Sequence, residues 1–313
     1  MKPIKLLTSG SFFFVLKTLY LSCKKTIPRA TNYCKLKLHN MEPYNTTDQK
    51  IHWLAQPLAK ANRTFVPTKK DDSHTNIYFD PLSNRLLGRW IDTGNGKILL
   101  ALNLTIQSYE WLNEKLVPLA SVAYATKTME EIETEIAESL MILGINPEGY
   151  TSPMHYDIPQ YEFTKEKVEL LSAEAITQWT QYRKLANEAC QLVVGHLQID
   201  QEIRIWPHHF DTGIYVEPGG KTGIGFGLAM EDDMVGKPYF YLAGYPIEGE
   251  LEYINLPDIH PAFWEIGEHW KGAILPINTL DETPFKSFQK TLMDYIKHSL
   301  EWYLINAPQF EKK

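Results

Sequence analysis

The chain has 313 residues, with 31 basic and 38 acidic side chains and a formal net charge of −7 at pH 7. Its hydrophobic content of 44% is sufficient for a buried core and argues against general disorder. The acidic balance disfavours a nucleic-acid binder with a basic face, and no apolar run reaches the ~18 residues of a membrane span. Three cysteines are too few for a disulfide scaffold at this length.

Residues 1–40 differ in composition from the rest of the chain. They contain eight basic residues and no acidic residue, which leaves 23 basic and 38 acidic residues in 41–313. We therefore expect a basic extension outside the fold, with translation starting at Met41. The alternative is a targeting or anchoring segment, because 11–23 is apolar and imitates a signal peptide. A single cysteine in 41–313 fits a reducing compartment and predicts a cytoplasmic protein.

The first half of the chain after residue 41 shows strand patterns followed by helix patterns. Apolar residues alternate along 97–107, which predicts a strand, and a glycine-containing turn joins it to 86–91 as an antiparallel hairpin. Thr128 with Glu131 forms a capping-box pattern, and Gly144 marks the end of the helix that follows. A second helix is predicted over 172–195.

The second half of the chain shows the same order of patterns, strands followed by a helix. Its short apolar segments are separated by Gly, Pro and acidic turn residues, which favours an antiparallel meander of four strands: 202–206, 214–216, 222–230 and 239–245. Thr283 with Pro284 predicts the start of a closing helix.

These patterns predict an α+β fold. Antiparallel sheets from two strand-then-helix halves, about 75–165 and 198–305, would pack with long helices as one unit. The helix 172–195 joins the halves within a single domain, 41–313, because no low-complexity linker separates them. We find no residue-level repeat between the halves.

The segment Trp206-Pro207-His208-His209-Phe210-Asp211 is the only local cluster with obvious chemical capacity. In an extended segment His209 and Asp211 share one face. An H-x-D pair with a distant histidine, here His260 or His269, is the ligand set of facial-triad iron oxygenases. The alternative is that the histidines bind loop backbone and that Asp211 is buried and satisfied by backbone or by its neighbouring histidines.

Other features carry weaker signals. Gly223, Gly225 and Gly227 leave one face of a strand without side chains, which favours close packing and also suits the approach of a ligand. Glu231 and Asp232 would be weaker oxygen donors for a cation, although acidic hairpin tips are usually solvated. The usual markers of serine-elbow acyl transfer, thiol redox chemistry and Walker-type phosphate binding are missing.

Several segments resemble a bacterial family that is catalogued only as a domain of unknown function. The similarity covers about 75–305, and the segments that carry it are Ile132–Ile145, Pro153-Met154, Ile158-Pro159, the helix with Trp179, Trp206 with Phe210-Asp211, Tyr239–Pro246, Pro261-Ala262-Phe263-Trp264 and Ile274-Leu275-Pro276. In the family pattern the aromatic residue at Trp206, Phe210 and Asp211 recur, whereas His208 and His209 do not. The resemblance implies a soluble two-part α+β fold, favours Asp211 over a histidine-based metal site, and implies no known activity.

The sequence therefore predicts a soluble protein that binds a small ligand or a partner near 206–211. The pocket would be lined by Trp206, His208, Phe210, Asp211 and Tyr241. The alternative is an oxygenase-like or hydrolytic enzyme that depends on a divalent metal, with ligands from His209, Asp211, His260 and His269.

Overall fold

The computed structural model describes residues 41–218, 220–280 and 285–307. The expectations for 1–40 and for the helix cap at Thr283 and Pro284 lie outside the described residues. Within them the architecture is α+β, with four α-helices and two six-stranded antiparallel sheets, as the sequence predicts. No described helix has both the length and the apolar character needed to cross a membrane.

The first half of the fold begins with a long helix and continues as a meander. Its elements are α1 (Glu42–Phe65), β1 (Tyr78–Asp80), β2 (Arg85–Leu87), β3 (Ile91–Asp92), β4 (Lys97–Asn103), β5 (Ser108–Asn113), β6 (Pro118–Ala123) and α2 (Met129–Ile142). The strand order is β1-β2-β4-β5-β6, and β3 also pairs with β4. The predicted hairpin is confirmed, although its first strand is divided into β2 and β3.

The second half repeats this arrangement after the helix that joins the halves. Its elements are α3 (Ala173–Leu197), β7 (Arg204–Ile205), β8 (Thr212–Val216), β9 (Thr222–Ala229), β10 (Tyr239–Pro246), β11 (Phe263–Ile266), β12 (Lys271–Pro276) and α4 (Phe285–Asn306). The strand order is β11-β12-β10-β9-β8-β7. The predicted meander of four strands corresponds to β7 to β10.

The two sheets meet where each meander begins. Ile77, next to β1, and Ile205 of β7 exchange backbone hydrogen bonds at 3.1 and 2.8 Å. One hydrophobic core includes residues of both sheets and of all four helices. This shared core places the loop between β7 and β8 close to helices from both halves.

Two helix boundaries follow their local signals. The Thr128 Oγ1 accepts the Glu131 N–H at 3.2 Å, and the Glu131 carboxylate accepts the Thr128 N–H at 2.7 Å, which confirms the capping box of α2. Gly144 has φ of +77° directly after this helix. The Ser172 hydroxyl caps α3 by accepting the Ala175 N–H at 3.1 Å.

The strand predicted over 97–107 is too long. It ends at Asn103, because the side-chain oxygen of Asn103 accepts the N–H groups of Thr105 and Ile106 and turns the chain. Gln107, with φ of +53°, completes this turn before β5 begins. The strand predicted over 202–206 is likewise reduced to β7.

Candidate functional site

The 206–211 loop joins β7 to β8 as a tight turn. The Trp206 N–H donates to the Asp211 carbonyl oxygen at 3.2 Å, and the Phe210 N–H donates to the Trp206 carbonyl oxygen at 2.6 Å. Phe210 has φ of +57°, in the left-handed region that bulky residues rarely adopt. The extended conformation that would place His209 and Asp211 on one face is therefore wrong.

Buried rings and a guanidinium group hold Phe210 in this conformation. The His52 ring stacks on Phe210 at 5.0 Å between centroids, and Trp179 stacks at 6.2 Å. The Arg183 guanidinium lies 4.6 Å from the centre of the same ring, and its Nη1 donates to the Phe210 carbonyl oxygen at 2.8 Å. The strained residue is thus fixed by side chains from α1 and α3.

Arg183 forms a buried ion pair with Asp48 of α1. The Arg183 Nη2 and the Asp48 Oδ1 are 2.6 Å apart, and the two side chains are only 1% and 2% exposed. The Trp179 indole N–H donates to the same oxygen at 2.6 Å, and Arg183 also donates to the Thr212 hydroxyl at 2.9 Å. Burial by itself would lower the pKa of Arg183, but Asp48, Tyr44 and Asp211 together raise the pKa above the ordinary value.

Two further side chains of α1 bind the Pro207 carbonyl oxygen. His52 Nε2 and Gln56 Nε2 both lie 2.9 Å from it. A carbonyl oxygen only accepts, so His52 carries its proton on Nε2, and its Nδ1 accepts the Tyr161 hydroxyl at 2.7 Å. Burial lowers the pKa of His52 to about 4, which keeps this ring neutral near pH 7.

Asp211 has one partnered and one free carboxyl oxygen. The Tyr241 hydroxyl donates to Oδ2 at 2.5 Å, whereas Oδ1 is shielded from solvent and has no hydrogen-bond partner. Burial raises the pKa of Asp211, although Tyr241 and His209 act in the opposite direction. The sequence predicts backbone or histidine partners for Asp211. The side chain that hydrogen-bonds to it is Tyr241 of β10, two strands beyond β8, while His209 and the backbone at Asp211 also lower the pKa of this carboxyl group.

Glycines create the space that lets Tyr241 reach Asp211. Tyr241 is paired across β10 and β9 with Gly227, and Gly227 is paired with Gly213 of β8. A Cβ atom added at Gly213 or at Gly227 would lie about 3 Å from the Tyr241 hydroxyl. Close packing of tyrosine over these glycines therefore explains why this face of the strand carries no side chains.

Replacing Gly227 by Ala should lower the free energy of unfolding by about 1–3 kcal/mol. Its Cβ would lie 2.5 Å from the Thr212 carbonyl oxygen and 2.8 Å from the Gly213 Cα, and backbone atoms of a central strand cannot move aside. The matched control is Gly195→Ala in α3, where no atom lies within 4 Å of the new methyl group. This control should be neutral or stabilising by up to about 1 kcal/mol in urea unfolding. Equal effects of the two changes would contradict the packing argument.

The other residues predicted for the pocket lie around this loop. Trp206 and His208 are partly buried, and their rings are 6.2 Å apart. The His208 ring also contacts Tyr156 at 5.5 Å and the exposed His209 at 4.3 Å. Burial lowers the pKa of His208, and the adjacent His209 lowers it further. The segment that precedes Asp211 thus presents an indole and two imidazoles at the surface.

The predicted metal-ligand set is not assembled. In the part of the chain that the structure describes, no three or more His, Cys, Asp or Glu side chains are grouped to hold a metal ion. His260 and His269 are exposed and flank β11, at the sheet edge opposite β7. They are separated from His209 and Asp211 by the width of the sheet, so the H-x-D and distant-histidine hypothesis is corrected.

The acidic hairpin tip after β9 has structural contacts. The Asn45 amide donates to the Glu231 carboxylate, and the Tyr239 hydroxyl donates to Asp232 at 2.7 Å. Asp232 also accepts the N–H groups of Met234 and Val235, at 3.1 and 3.0 Å, and so forms the turn. Neither acid is directed to the 206–211 loop.

Two surface cavities lie away from this loop. One has a volume of about 230 Å³ and lies between the turn after β3 and the end of α2; the other, of about 30 Å³, lies beside α1 near Phe163. The predicted pocket near 206–211 coincides with neither cavity. A ligand there would bind on the loop surface and reach Asp211 only after side-chain movement.

Sequence reasoning missed the buried polar residues that hold the loop. Asp48, His52 and Gln56 are spaced four residues apart along α1, a helix that was not predicted, and Arg183 was not considered. A signal for Arg183 was present, because it follows Trp179 by four residues and precedes Ala186 by three, on the inward stripe of α3.

Comparison with family models, curated proteins and solved structures gives no match for this chain. The function of the loop is therefore inferred from its own geometry.

Proposed function

We propose that the 206–211 loop binds a small ligand that presents a hydrogen-bond donor to Asp211. The observation that carries this proposal is the free Oδ1 atom of Asp211, which is the only carboxylate oxygen among the twelve buried side-chain atoms that lack a partner in the described residues. Nearly all buried polar atoms in proteins are hydrogen-bonded, and each exception calls for a specific role or an additional molecule. A donor group from a ligand would complete the hydrogen bonding of Asp211.

The strain at Phe210 supports a functional role for this loop. A bulky residue in a left-handed conformation costs on the order of 1–3 kcal/mol and persists only where its surroundings enforce it. Here Arg183, His52 and Gln56 fix the loop through its carbonyl groups. Strained residues that are held in place by several surrounding contacts cluster at binding and active sites.

The surface of the loop suits a small molecule with both polar and apolar parts. Trp206 and His208 offer ring faces, and His209 offers an exposed imidazole. Because burial disfavours the charged form of Asp211, a donor that pairs with Oδ1 would lower the pKa of this carboxyl group. Ligand binding should therefore release protons near the pKa of Asp211.

The resemblance predicted from the sequence, which no family model matches, would favour the same residue. It supports Phe210 and Asp211 as the defining positions of the loop and treats the two histidines as variable. We propose that Asp211 provides recognition and that His208 and His209 adjust the ligand preference of this chain.

The proposal predicts that Asp211→Asn abolishes ligand binding with a stability change of only about 1 kcal/mol. Asparagine keeps the shape and accepts the Tyr241 hydroxyl, while the buried, unpaired carboxylate disappears. A thermal-shift screen of small amines, amides and alcohols would measure both properties. Compounds that raise the melting temperature of the wild type should have no effect on Asp211→Asn.

Asp233→Asn is the matched control, because Asp233 is an exposed acid on a hairpin tip away from the loop. It should respond to every compound as the wild type does. Compounds that stabilise the wild type and Asp211→Asn equally would contradict the proposal. A stability loss of several kcal/mol in Asp211→Asn would show that this carboxyl group has a structural role.

A further inference from the structure

A second feature lies on the face of the second sheet opposite the core. Core residues of the central strands, such as Phe226 and Leu242, point towards the helices. Side chains alternate between the two faces of a strand, so Tyr215 and Tyr245 lie on the other face. Tyr215 is paired with Gly225, and Tyr245 with Gly223. The strand between these tyrosines therefore contributes only backbone to this face.

The tyrosine rings rest directly on that glycine backbone. A Cβ atom added at Gly223 would overlap the Tyr215 ring, and one added at Gly225 would lie 3.0 Å from the Tyr245 ring. Contact with the sheet buries part of each ring and leaves the rest in solvent. Tyr215 is 39% exposed and Tyr245 is 42% exposed, as this arrangement requires.

Trp270 extends this layer across β12. A Cβ atom at Gly272 would lie 2.5 Å from the Trp270 ring, so this indole also rests on a glycine. Trp270 interacts with the Tyr245 hydroxyl, and the Tyr215 and Tyr245 rings are 6.1 Å apart at an angle of 49°. We refer to Tyr215, Tyr245 and Trp270 as the aromatic platform.

Acidic groups lie next to the platform, and Lys221, which precedes β9, is paired with Glu248 at 4.0 Å. Burial raises the pKa of Tyr215 and the neighbouring Glu217 raises it further, while Asp211 acts in the same direction on Tyr245. The cation–π contacts found among the described residues involve other rings, so no lysine or arginine covers the platform there. A cation from outside the chain would therefore not compete with a described lysine or arginine for these rings.

We propose that the aromatic platform binds a small organic cation of the quaternary ammonium class. The cation would lie over the faces of Tyr215 and Tyr245, with the Glu217 carboxylate providing the opposite charge. Ring faces attract cations through the negative potential of the π system, and several rings around one cation are the usual recognition mode for quaternary ammonium groups. The acidic surroundings disfavour nucleotides and other anions. The platform adjoins Tyr241 over Gly225 but consists of residues outside the 206–211 loop, and the proposal does not depend on the function of that loop.

Choline provides a direct probe, because its neutral isostere 3,3-dimethylbutan-1-ol has the same shape without the charge. Isothermal titration of the wild-type protein should show choline binding at least tenfold tighter than the alcohol. Tyr215→Leu and Glu217→Gln should each weaken choline binding by about fivefold, because each removes roughly 1 kcal/mol of attraction. Tyr215→Phe keeps the ring and should bind choline within twofold of the wild type.

Gly223→Ala tests the geometry without removing an aromatic residue. Its methyl group displaces the Tyr215 ring, which is a movable side-chain end, so the fold should be retained while choline binding falls as in Tyr215→Leu. Trp90→Leu, at an aromatic residue that is 41% exposed in the first half, is the control and should bind choline normally. Equal affinity for choline and the alcohol, or choline binding unchanged in both Gly223→Ala and Glu217→Gln, would overturn the proposal.

Discussion

Replacing Asp48 by Ala should lower the free energy of unfolding by about 3–5 kcal/mol, a loss typical of removing one partner from a buried ion pair. The Arg183 guanidinium would remain in the core without its counter-charge, and the Trp179 indole would lose its acceptor. Because the same guanidinium binds the Phe210 carbonyl oxygen, the 206–211 loop should also become more mobile. Urea unfolding and amide hydrogen exchange of the loop would measure the two effects.

An exposed ion pair on α3, the helix that carries Arg183, provides the control for this prediction. Lys184 and Glu188 are 4.0 Å apart on α3, and both side chains are 59% exposed. Glu188→Ala should therefore change stability by less than about 1 kcal/mol, because water screens the pair. If Asp48→Ala and Glu188→Ala were equally mild, the buried pair would not be holding the loop.

The protein should lose about 3 kcal/mol of stability through His52 as the pH falls from 7 to 4. The folded state keeps this buried ring neutral down to a pKa of about 4, whereas in the unfolded chain it takes up a proton near pH 6.5. The unfolded state thus binds more protons between these values, so stability must fall with decreasing pH. Each pKa unit of difference corresponds to about 1.4 kcal/mol.

Comparing His52→Gln with the wild type isolates this contribution from other titrating groups. The variant should have a shallower dependence of unfolding free energy on pH between 6.5 and 4. Gln56→Ala removes the neighbouring donor to the Pro207 carbonyl oxygen and does not titrate, so it should lower stability by about 1 kcal/mol at every pH. Parallel curves for the wild type and His52→Gln would show that folding does not lower the pKa of His52.

Local signals explain which elements could be predicted from the sequence. The caps at Thr128 and Ser172 act through neighbouring backbone atoms, so α2 and α3 were predicted to within two residues. By contrast, α1 was missed because its buried face alternates apolar residues with Asp48, His52 and Gln56, and because Pro57 interrupts it. In the sequence alone, a buried stripe of polar residues has the same pattern as a solvent-exposed helix face, because the partners of its side chains lie elsewhere in the chain.

The candidate site was only partly predictable for the same reason. The composition of the 206–211 loop indicated chemical capacity, and Tyr241 was included among its pocket residues. The contact between Tyr241 and Asp211 joins two residues that are 30 positions apart in the sequence. It also depends on glycines in two other strands, and no local sequence pattern encodes such an arrangement. The predicted metal ligands are not brought together among the described residues, because His260 and His269 flank β11 at the opposite edge of the sheet and because Phe210, with its positive φ, makes the loop a turn and not an extended segment.

The most direct test of the proposed binding site is a crystal structure of the wild-type protein with a compound selected in the thermal-shift screen. The account predicts a nitrogen or oxygen donor of the compound within about 3.2 Å of the Asp211 Oδ1, with the remainder of the compound against Trp206 and His208. A compound bound elsewhere, with Oδ1 contacted only by groups of the protein itself, would contradict it.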